Sequence, residues 1–183
     1  LRYMFSRFFS AAVWFVSGAA AAQTNQTVID TISVPPGFSV SQAAGSDLTA
    51  YPMFMAFDDR GRLFIAESTG KDLSGKEMAA APECLILRLT DDDGDGVYDR
   101  KTVFADTLSL LVFVLWHLVS LYLATAPYFI LFGDADDDGV ADTRTVLLSG
   151  WNVLNTASLH GPFLGPDGWL YLTHGRHGYD ITS

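Results

Sequence analysis

An acidic loop occurs twice in the chain, and this repeat limits the possible folds more than any other feature. Residues 91–103 and residues 134–146 share eight of thirteen positions at an offset of 43 residues. A period of about 40–50 residues with strand-like content is typical of β-propeller blades, each of about four strands. The repeat therefore predicts an all-β chain built from similar antiparallel sheets.

A second repeated element, a turn followed by a short apolar strand, predicts the same fold. Leu–aromatic–aliphatic triplets begin at Leu63, Leu121 and Leu170, and glycine turns precede the first and the last. Glycine supplies the positive φ that tight hairpins need, and short apolar runs are typical of buried strands. We therefore expect about three blades. Because closed propellers have four to eight, we expect the chain to be the N-terminal part of a longer propeller.

Each acidic loop has the spacing D-x-D-x-D-G-x-x-D, here named loop 1 (residues 91–99) and loop 2 (residues 134–142). Carboxylates at positions 1, 3 and 5 converge when the chain turns at the position 6 glycine, as in the first half of an EF-hand calcium loop. Position 12 is Thr102 or Thr145 instead of the EF-hand Glu, so we expect structural calcium loops that join strands. A hydrated turn without an ion is the alternative. The predicted ligands are Asp91, Asp93, Asp95, the Val97 carbonyl and Asp99, then Asp134, Asp136, Asp138, the Val140 carbonyl and Asp142.

The N-terminus has the order of a secretory signal. Arg2 and Arg7 flank the start of an apolar run at residues 8–16, and small residues follow at residues 17–22. This order predicts a signal peptide at residues 1–22, a partial propeller domain at residues 23–183, and a secreted or periplasmic protein. An uncleaved membrane anchor is the alternative, although the run is short for a bilayer span of about 20 residues.

Residues 107–133 contain no charged side chain across 27 positions. Taken alone, such a stretch passes as a transmembrane helix. Pro127 lies inside it and the triplet at Leu121 is one of the repeated strands, so we predict two buried strands here. A membrane span over residues 108–132 is the alternative.

Charge and cysteine usage exclude several functions. The formal net charge of −10 argues against a nucleic acid partner, because an acidic chain repels phosphates. Cys84 is the only cysteine, so neither an intrachain disulfide nor a cysteine-based zinc site can form. We expect Cys84, Trp151 and Trp169 to be buried core residues.

Histidines near the end of the chain are candidate catalytic groups. His160 precedes a Gly-Pro pair before the third triplet strand, and a neutral imidazole there is suited to act as a general base. Just past that strand, Arg176 is a second catalytic candidate, while His174 and His177 are candidates for binding an anionic cofactor. The alternative is that all four side chains make only local hydrogen bonds.

Several segments resemble the glucose/sorbosone dehydrogenase-like propellers, and most closely their branch of membrane-bound dehydrogenase domains. In that branch Asp-rich loops recur and are followed by Thr-Val-Phe-Ala-Asp, as they are here. The resemblance extends from about Ser33 to the end of the chain. The segments that carry it are residues 34–38, 55–58, 61–67, 102–106, 160–162, 165–171 and 174–176.

The resemblance implies a six-bladed propeller in the full protein, with the quinone PQQ at its mouth. In the relatives, a His takes the hydroxyl proton of the substrate while hydride passes to the quinone. His160 is the nearest match, and Ala157 stands where the spacing of the sugar dehydrogenases would place that His. The implied partners are a sugar or alcohol substrate and a downstream haem domain or a membrane.

Two functions from different classes therefore stay open. One is an exported PQQ-type dehydrogenase that oxidises a sugar or alcohol. The other is a non-catalytic, calcium-stabilised propeller that serves as an extracellular binding module, because adhesion-type propeller repeats carry similar acidic loops. The histidines favour the first, and the acidic loops fit both.

Overall fold

The computed structural model describes residues 29–153, 159–175 and 178–183. The predicted signal peptide at residues 1–22 lies outside these described residues. The chain divides into two compact units, residues 1–42 and residues 43–183. The described part of the first unit contains a turn in which Phe38 N–H donates to the Pro35 carbonyl, with Gly37 at a φ of 90°.

Strands and tight turns make up most of the second unit. One short helix, α1 (Gly75–Ala80), begins at Ser74, whose side chain and that of Glu77 form a capping box. The strands are β1 (Pro52–Phe57), β2 (Leu63–Glu67), β3 (Cys84–Thr90), β4 (Arg100–Leu108), β5 (Leu110–His117), β6 (Ser120–Ala126), β7 (Tyr128–Gly133), β8 (Thr143–Trp151), β9 (Leu159–Leu164), β10 (Leu170–His174) and β11 (Tyr179–Thr182).

These strands form three antiparallel sheets, none of which closes into a barrel. The first sheet has the order β1-β2-β3-β4, the second β11-β8-β7-β6-β5, and the third β10-β9. The first two sheets each contain four strands that are consecutive along the chain, so each is a meander. The all-β prediction is therefore confirmed.

The sequence repeat is also a structural repeat. Leu87 pairs with Val103 in the first sheet, and Ile130 pairs with Val146 in the second, which preserves the 43-residue offset on both strands. A register irregularity follows at the equivalent place in each hairpin. The two acidic loops therefore join equivalent pairs of antiparallel strands, as predicted.

The uncharged stretch forms β5, β6 and β7, one strand more than predicted. No helix among the described residues is both long and apolar enough to cross a membrane. The additional strand is made possible by a two-residue reversal at Leu118 and Val119, where φ is 49° and 58°. Both side chains are 73% exposed at this turn.

Aromatic side chains fill the core between the first and second sheets. Phe64 of β2 stacks on Trp116 of β5, with ring centroids 5.1 Å apart and planes inclined by 18°. Phe104 of β4 meets Phe64 edge-on at 4.9 Å and Phe132 of β7 at 6.2 Å. Because offset stacking and edge-to-face contacts stabilise beyond simple burial, these rings fix the two sheets against each other.

A second core lies between the second and third sheets. Trp151 and Leu159 are buried there, and Cys84 is buried in the first core, as expected for Trp151 and Cys84. Trp169 contradicts its prediction, because it follows a tight turn and is 72% exposed.

The edge strand β1 divides its side chains between the core and solvent. Phe54 and Ala56 pack on the core between the first two sheets. Met53, Met55 and Phe57 alternate with them and are 54%, 57% and 61% exposed. This alternation is the period of two that a strand with one buried face shows.

Candidate metal sites

Loops 1 and 2 have the same backbone conformation. The position 6 glycines, Gly96 and Gly139, both have positive φ, at 89° and 95°. Position 4 is also left-handed in both loops, where Gly94 has a φ of 78° and Asp137 a φ of 62°. Left-handed backbone is natural for glycine and is tolerated by aspartate, so each loop turns at the same two points.

Equivalent hydrogen bonds hold each loop in this conformation. At position 1, Asp91 accepts from Gly96 N–H at 2.9 Å and Asp134 accepts from Gly139 N–H at 3.0 Å, each through Oδ2. At position 9, Asp99 and Asp142 each accept from the backbone N–H of position 2, at 2.8 and 2.6 Å. The repeated residues therefore make repeated contacts.

Three carboxylates converge in each loop. Single ligand oxygens of the three lie within 4.8 Å of one another in each group. The groups are Asp91, Asp93 and Asp99 in loop 1, and Asp134, Asp136 and Asp138 in loop 2. Carboxylate oxygens are ligands suited to hard cations such as Ca²⁺, which takes six to eight oxygens in all.

The remaining predicted ligands lie outside these two groups. Asp95 accepts from Val97 N–H at 2.7 Å, and Asp142 accepts from Ala135 N–H at 2.6 Å. Val97 and Val140, whose carbonyls are predicted ligands, directly follow the turn glycines and are 42% and 48% exposed.

Loop 1 is open to solvent on most of its surface. Its ion pair joins Asp92 to Arg100 at 3.0 Å, between two side chains that are more than half exposed. The N–H groups of Gly96 and Gly94 lower the pKa of Asp91 below its usual value. Tyr98 donates to the Gly61 carbonyl at 2.9 Å, so loop 1 is attached to the β1–β2 turn of its own sheet.

Loop 2 is bound to the first sheet by three arginines. Arg88 of β3, whose side chain is 7% exposed, pairs with Asp134 Oδ2 at 3.1 Å through Nη1. Arg62 pairs with Asp137 Oδ1 at 2.6 Å, and Arg60 pairs with the other oxygen of Asp137. The hydrogen bond from Arg62 is the main cause of a lowered pKa at Asp137.

One carboxylate oxygen of loop 2 is buried without a partner among the described residues. The Asp134 side chain is 5% exposed, and its Oδ1 accepts no hydrogen bond from this part of the chain. Burial raises the pKa of Asp134 above its usual value, although Gly139 N–H and the charge of Arg88 act in the opposite direction. Because a buried carboxylate oxygen without a partner is costly, a bound cation would relieve this arrangement.

A cleft of about 450 Å³ lies between the first sheet and loop 2. Trp116 contributes a buried indole Nε1 to this region, and this nitrogen has no hydrogen-bond partner in the ranges that the structure describes. The other walls come from the β1–β2 turn and loop 2, and they include Asp58, Arg62 and Asp134. The buried polar groups of the second loop therefore lie at the boundary between two sheets.

The predicted catalytic residue His160 and the predicted cofactor-binding residue His174 do not converge. In the β9–β10 ladder His160 pairs with Thr173 and His174 pairs with Leu159, which makes them adjacent rungs. Side chains of adjacent rungs point to opposite faces, so His160 and His174 are separated by the sheet. The His174 ring instead meets Tyr179 edge-on at 4.5 Å.

The other predicted active-site positions, Arg176, His177 and Ala157, lie outside the described residues. Within the described residues, His160 and His174 form no shared anion-binding group, because they lie on opposite faces of the β9–β10 ladder. Among the described residues, only His160 and His174 belong to the predicted catalytic and cofactor-binding set.

Sequence reasoning missed the three arginines, although one signal pointed to them. Arg88 is the only charged residue in the apolar strand β3, and the repeat has Leu131 at the equivalent position. A charge inside a buried strand requires a partner. Arg60 and Arg62 lie in an ordinary turn sequence, which carries no comparable signal.

A protein family described as "Domain of unknown function (DUF7133)" matches residues 24–183. The matched segment contains both acidic loops and all eleven described strands. Neither the curated proteins nor the solved structures include a significant match to the chain.

Proposed function

The chain belongs to the DUF7133 family, and we propose that it is a calcium-binding β-propeller whose two acidic loops each hold a structural Ca²⁺. One observation carries the proposal: in both loops the carboxylates of positions 1 and 3 converge with a third one, and in loop 2 the buried Asp134 Oδ1 has no hydrogen-bond partner among the described residues. Each ion would stabilise a loop that otherwise concentrates like charges.

The sheet arrangement is compatible with a propeller, and the number of six blades comes from the resemblance alone. The first strands of successive sheets contact one another in order, β1 with β5 and β5 with β9. In a propeller the first strand of each blade lies next to the central axis, so contacts in this sequence are expected. Each four-stranded meander would then be one blade.

The chemistry of the loops suits a protein that is exported, as the sequence order of residues 1–22 predicts. Without the bidentate Glu of an EF-hand, each loop offers fewer charged ligands, and affinity falls with ligand number and charge. Extracellular calcium modules work at a Kd of about 10⁻⁴–10⁻³ M, because calcium outside cells is abundant. The protein would therefore be a calcium-stabilised module in an extracellular or periplasmic setting.

Calcium titration tests the proposal on the full chain. At about 10 mM Ca²⁺, a site with a Kd of about 10⁻⁴ M adds roughly 2.7 kcal/mol to the free energy of unfolding. We expect Asp91→Asn to remove one site and Asp134→Asn to remove the other. Asp92→Asn is the matched control, because it removes the same charge from a neighbouring exposed residue outside the cluster.

Two results would contradict calcium binding. One is a melting temperature that does not change between chelator and about 10 mM Ca²⁺. The other is equal calcium binding by Asp91→Asn and Asp92→Asn. Mg²⁺ at the same concentration separates a specific site from general screening of the acidic surface, because Mg²⁺ fits such loops poorly.

A quinone-dependent oxidation of a sugar or alcohol is the second candidate function. The exposed position of His160 on β9 favours it, since a base must be accessible to its substrate. The full chain, supplied with PQQ and Ca²⁺, would reduce an artificial electron acceptor with aldoses. No turnover, or turnover that His160→Ala leaves unchanged, removes this candidate.

A further inference from the structure

We infer that the two calcium loops are unequal: Arg88 of the first sheet neutralises Asp134 of loop 2, so loop 2 binds calcium more weakly and fills after loop 1. This inference rests on the proposed calcium binding. It adds an order of filling, and it links the second ion to the contact between the two sheets.

The loops differ in the third converging carboxylate, which is Asp99 in loop 1 and Asp138 in loop 2, and they differ in their surroundings. Their backbones turn at the same positions and their first carboxylates accept from the same glycine N–H groups. Loop 1 has a single exposed arginine, Arg100, paired with Asp92. Loop 2 has a buried arginine, Arg88, on the same carboxylate that would bind the ion.

Arg88 and a calcium ion would share Asp134. The guanidinium holds Oδ2 at 3.1 Å, which leaves Oδ1 for the cation. A Ca²⁺ at its usual ligand distance of about 2.4 Å from Oδ1 would then lie on the order of 5 Å from the guanidinium. Repulsion at that distance weakens binding by at least about tenfold, even at the dielectric constant of bulk water.

The arginines also stabilise the conformation of loop 2 when no ion is bound. Arg88 Nη1 donates to the Asp137 carbonyl at 3.4 Å, and Arg62 holds the Asp137 carboxylate at 2.6 Å. Asp137 stands at the left-handed position that is Gly94 in loop 1. Loop 2 therefore replaces a flexible glycine with a residue that the first sheet anchors, and it needs calcium less than loop 1 does.

Linkage makes the effect reciprocal. If Arg88 lowers the calcium affinity of loop 2, calcium must weaken the Arg88–Asp134 contact by the same factor. That contact joins β3 to loop 2 across the boundary of two sheets. The second ion would thus adjust how firmly the sheets are held, whereas the first ion acts within one hairpin.

The repeat itself supplies the test variant. Arg88→Leu gives β3 the residue that β7 has at the equivalent position, Leu131. We expect calorimetric titration of the full chain with Ca²⁺ to show two steps. Arg88→Leu should tighten the weaker step by at least about tenfold and leave the stronger step unchanged. The control Lys76→Gln, on the exposed face of α1, should change neither.

Two single variants assign the steps. Asp91→Asn should abolish the tighter step, and Asp134→Asn the weaker one. If Asp134→Asn instead abolishes the tighter step, the inference is overturned. If Arg88→Leu does not fold in chelator, Arg88→Gln removes the charge while it keeps a hydrogen-bond donor, and the same tightening is expected.

The experiment separates this inference from the proposed function. A wild-type chain that binds no calcium refutes the function, and the inference with it. A wild-type chain with two sites, neither of which is tightened in Arg88→Leu or Arg88→Gln, refutes the inference alone.

Discussion

The turn between β5 and β6 carries strain that a two-residue change should remove. Leu118 and Val119 connect the strands, and both have left-handed φ values. A two-residue hairpin with positive φ at both positions favours Asn-Gly. We therefore expect Leu118→Asn combined with Val119→Gly to stabilise the protein.

The size of the effect follows from the backbone and the exposure. A left-handed conformation costs an L-residue about 1–2 kcal/mol, and Val is among the least tolerant residues. The greater freedom of glycine in the unfolded chain offsets roughly 0.5–1 kcal/mol of this stabilisation. Both side chains are 73% exposed, so little packing is lost. The free energy of unfolding should rise by about 1–3 kcal/mol.

Thermal and urea unfolding of the full chain at constant calcium measure this change. The melting temperature should rise by roughly 2–12 °C, since 1 kcal/mol corresponds to about 2–4 °C at this chain length. Val103→Gly is the matched control: Val103 is 44% exposed on β4 and its φ is not left-handed, so glycine should destabilise there. A double variant that is no more stable than wild type would show that this turn is not strained.

Two further predictions concern the acidic loops 1 and 2 and the turn between β9 and β10. Gly139→Ala should lower the free energy of unfolding, measured in urea, more than Gly94→Ala does. Both positions have positive φ, but a Cβ at Gly139 would lie 2.1 Å from Arg88 Nη2, whereas a Cβ at Gly94 would meet open space. The alanine at Gly94 should cost about 1–2 kcal/mol, and equal losses would contradict the packing of Arg88 on loop 2. Tyr171→Phe should raise the pKa of Asp167 toward its usual 3.8, because the tyrosine hydroxyl donates to that carboxylate at 2.6 Å and is the main cause of its lowered pKa. The stabilisation from this hydrogen bond is present above pH 3.8 and is lost as the pH falls through the lower pKa of Asp167 in the folded protein. An NMR titration that gives the same Asp167 pKa in Tyr171→Phe and in wild type would refute the prediction.

Local features of this protein were predictable from the sequence because they depend on residues close along the chain. The spacing of Asp and Gly in the acidic loops determines their hydrogen bonds, and the apolar triplets became β2, β6 and β10. Periodicity also identified the uncharged stretch as strands, although it gave no sign of a turn at Leu118 and Val119. Neither residue has the usual turn chemistry, so the additional strand was missed.

Features that depend on distant residues were not predictable in the same way. Arg88 and Asp134 are 46 positions apart and meet only because two sheets pack together. His160 and His174 looked like one site in the sequence, but strand pairing puts them on opposite faces. A shift of one residue in strand register moves a side chain to the other face of the sheet, and neither composition nor spacing reveals the register.

The alternation along β1 has a practical consequence. Met53 and Met55 present their thioethers to solvent, whereas Met78 packs against the core between the second and third sheets. Peroxide converts accessible thioethers to sulfoxides first. Mass spectrometry of briefly oxidised protein would therefore show whether another surface covers the exposed side chains of β1. Anything that docks along β1 would be detected as slower sulfoxide formation at Met53 and Met55.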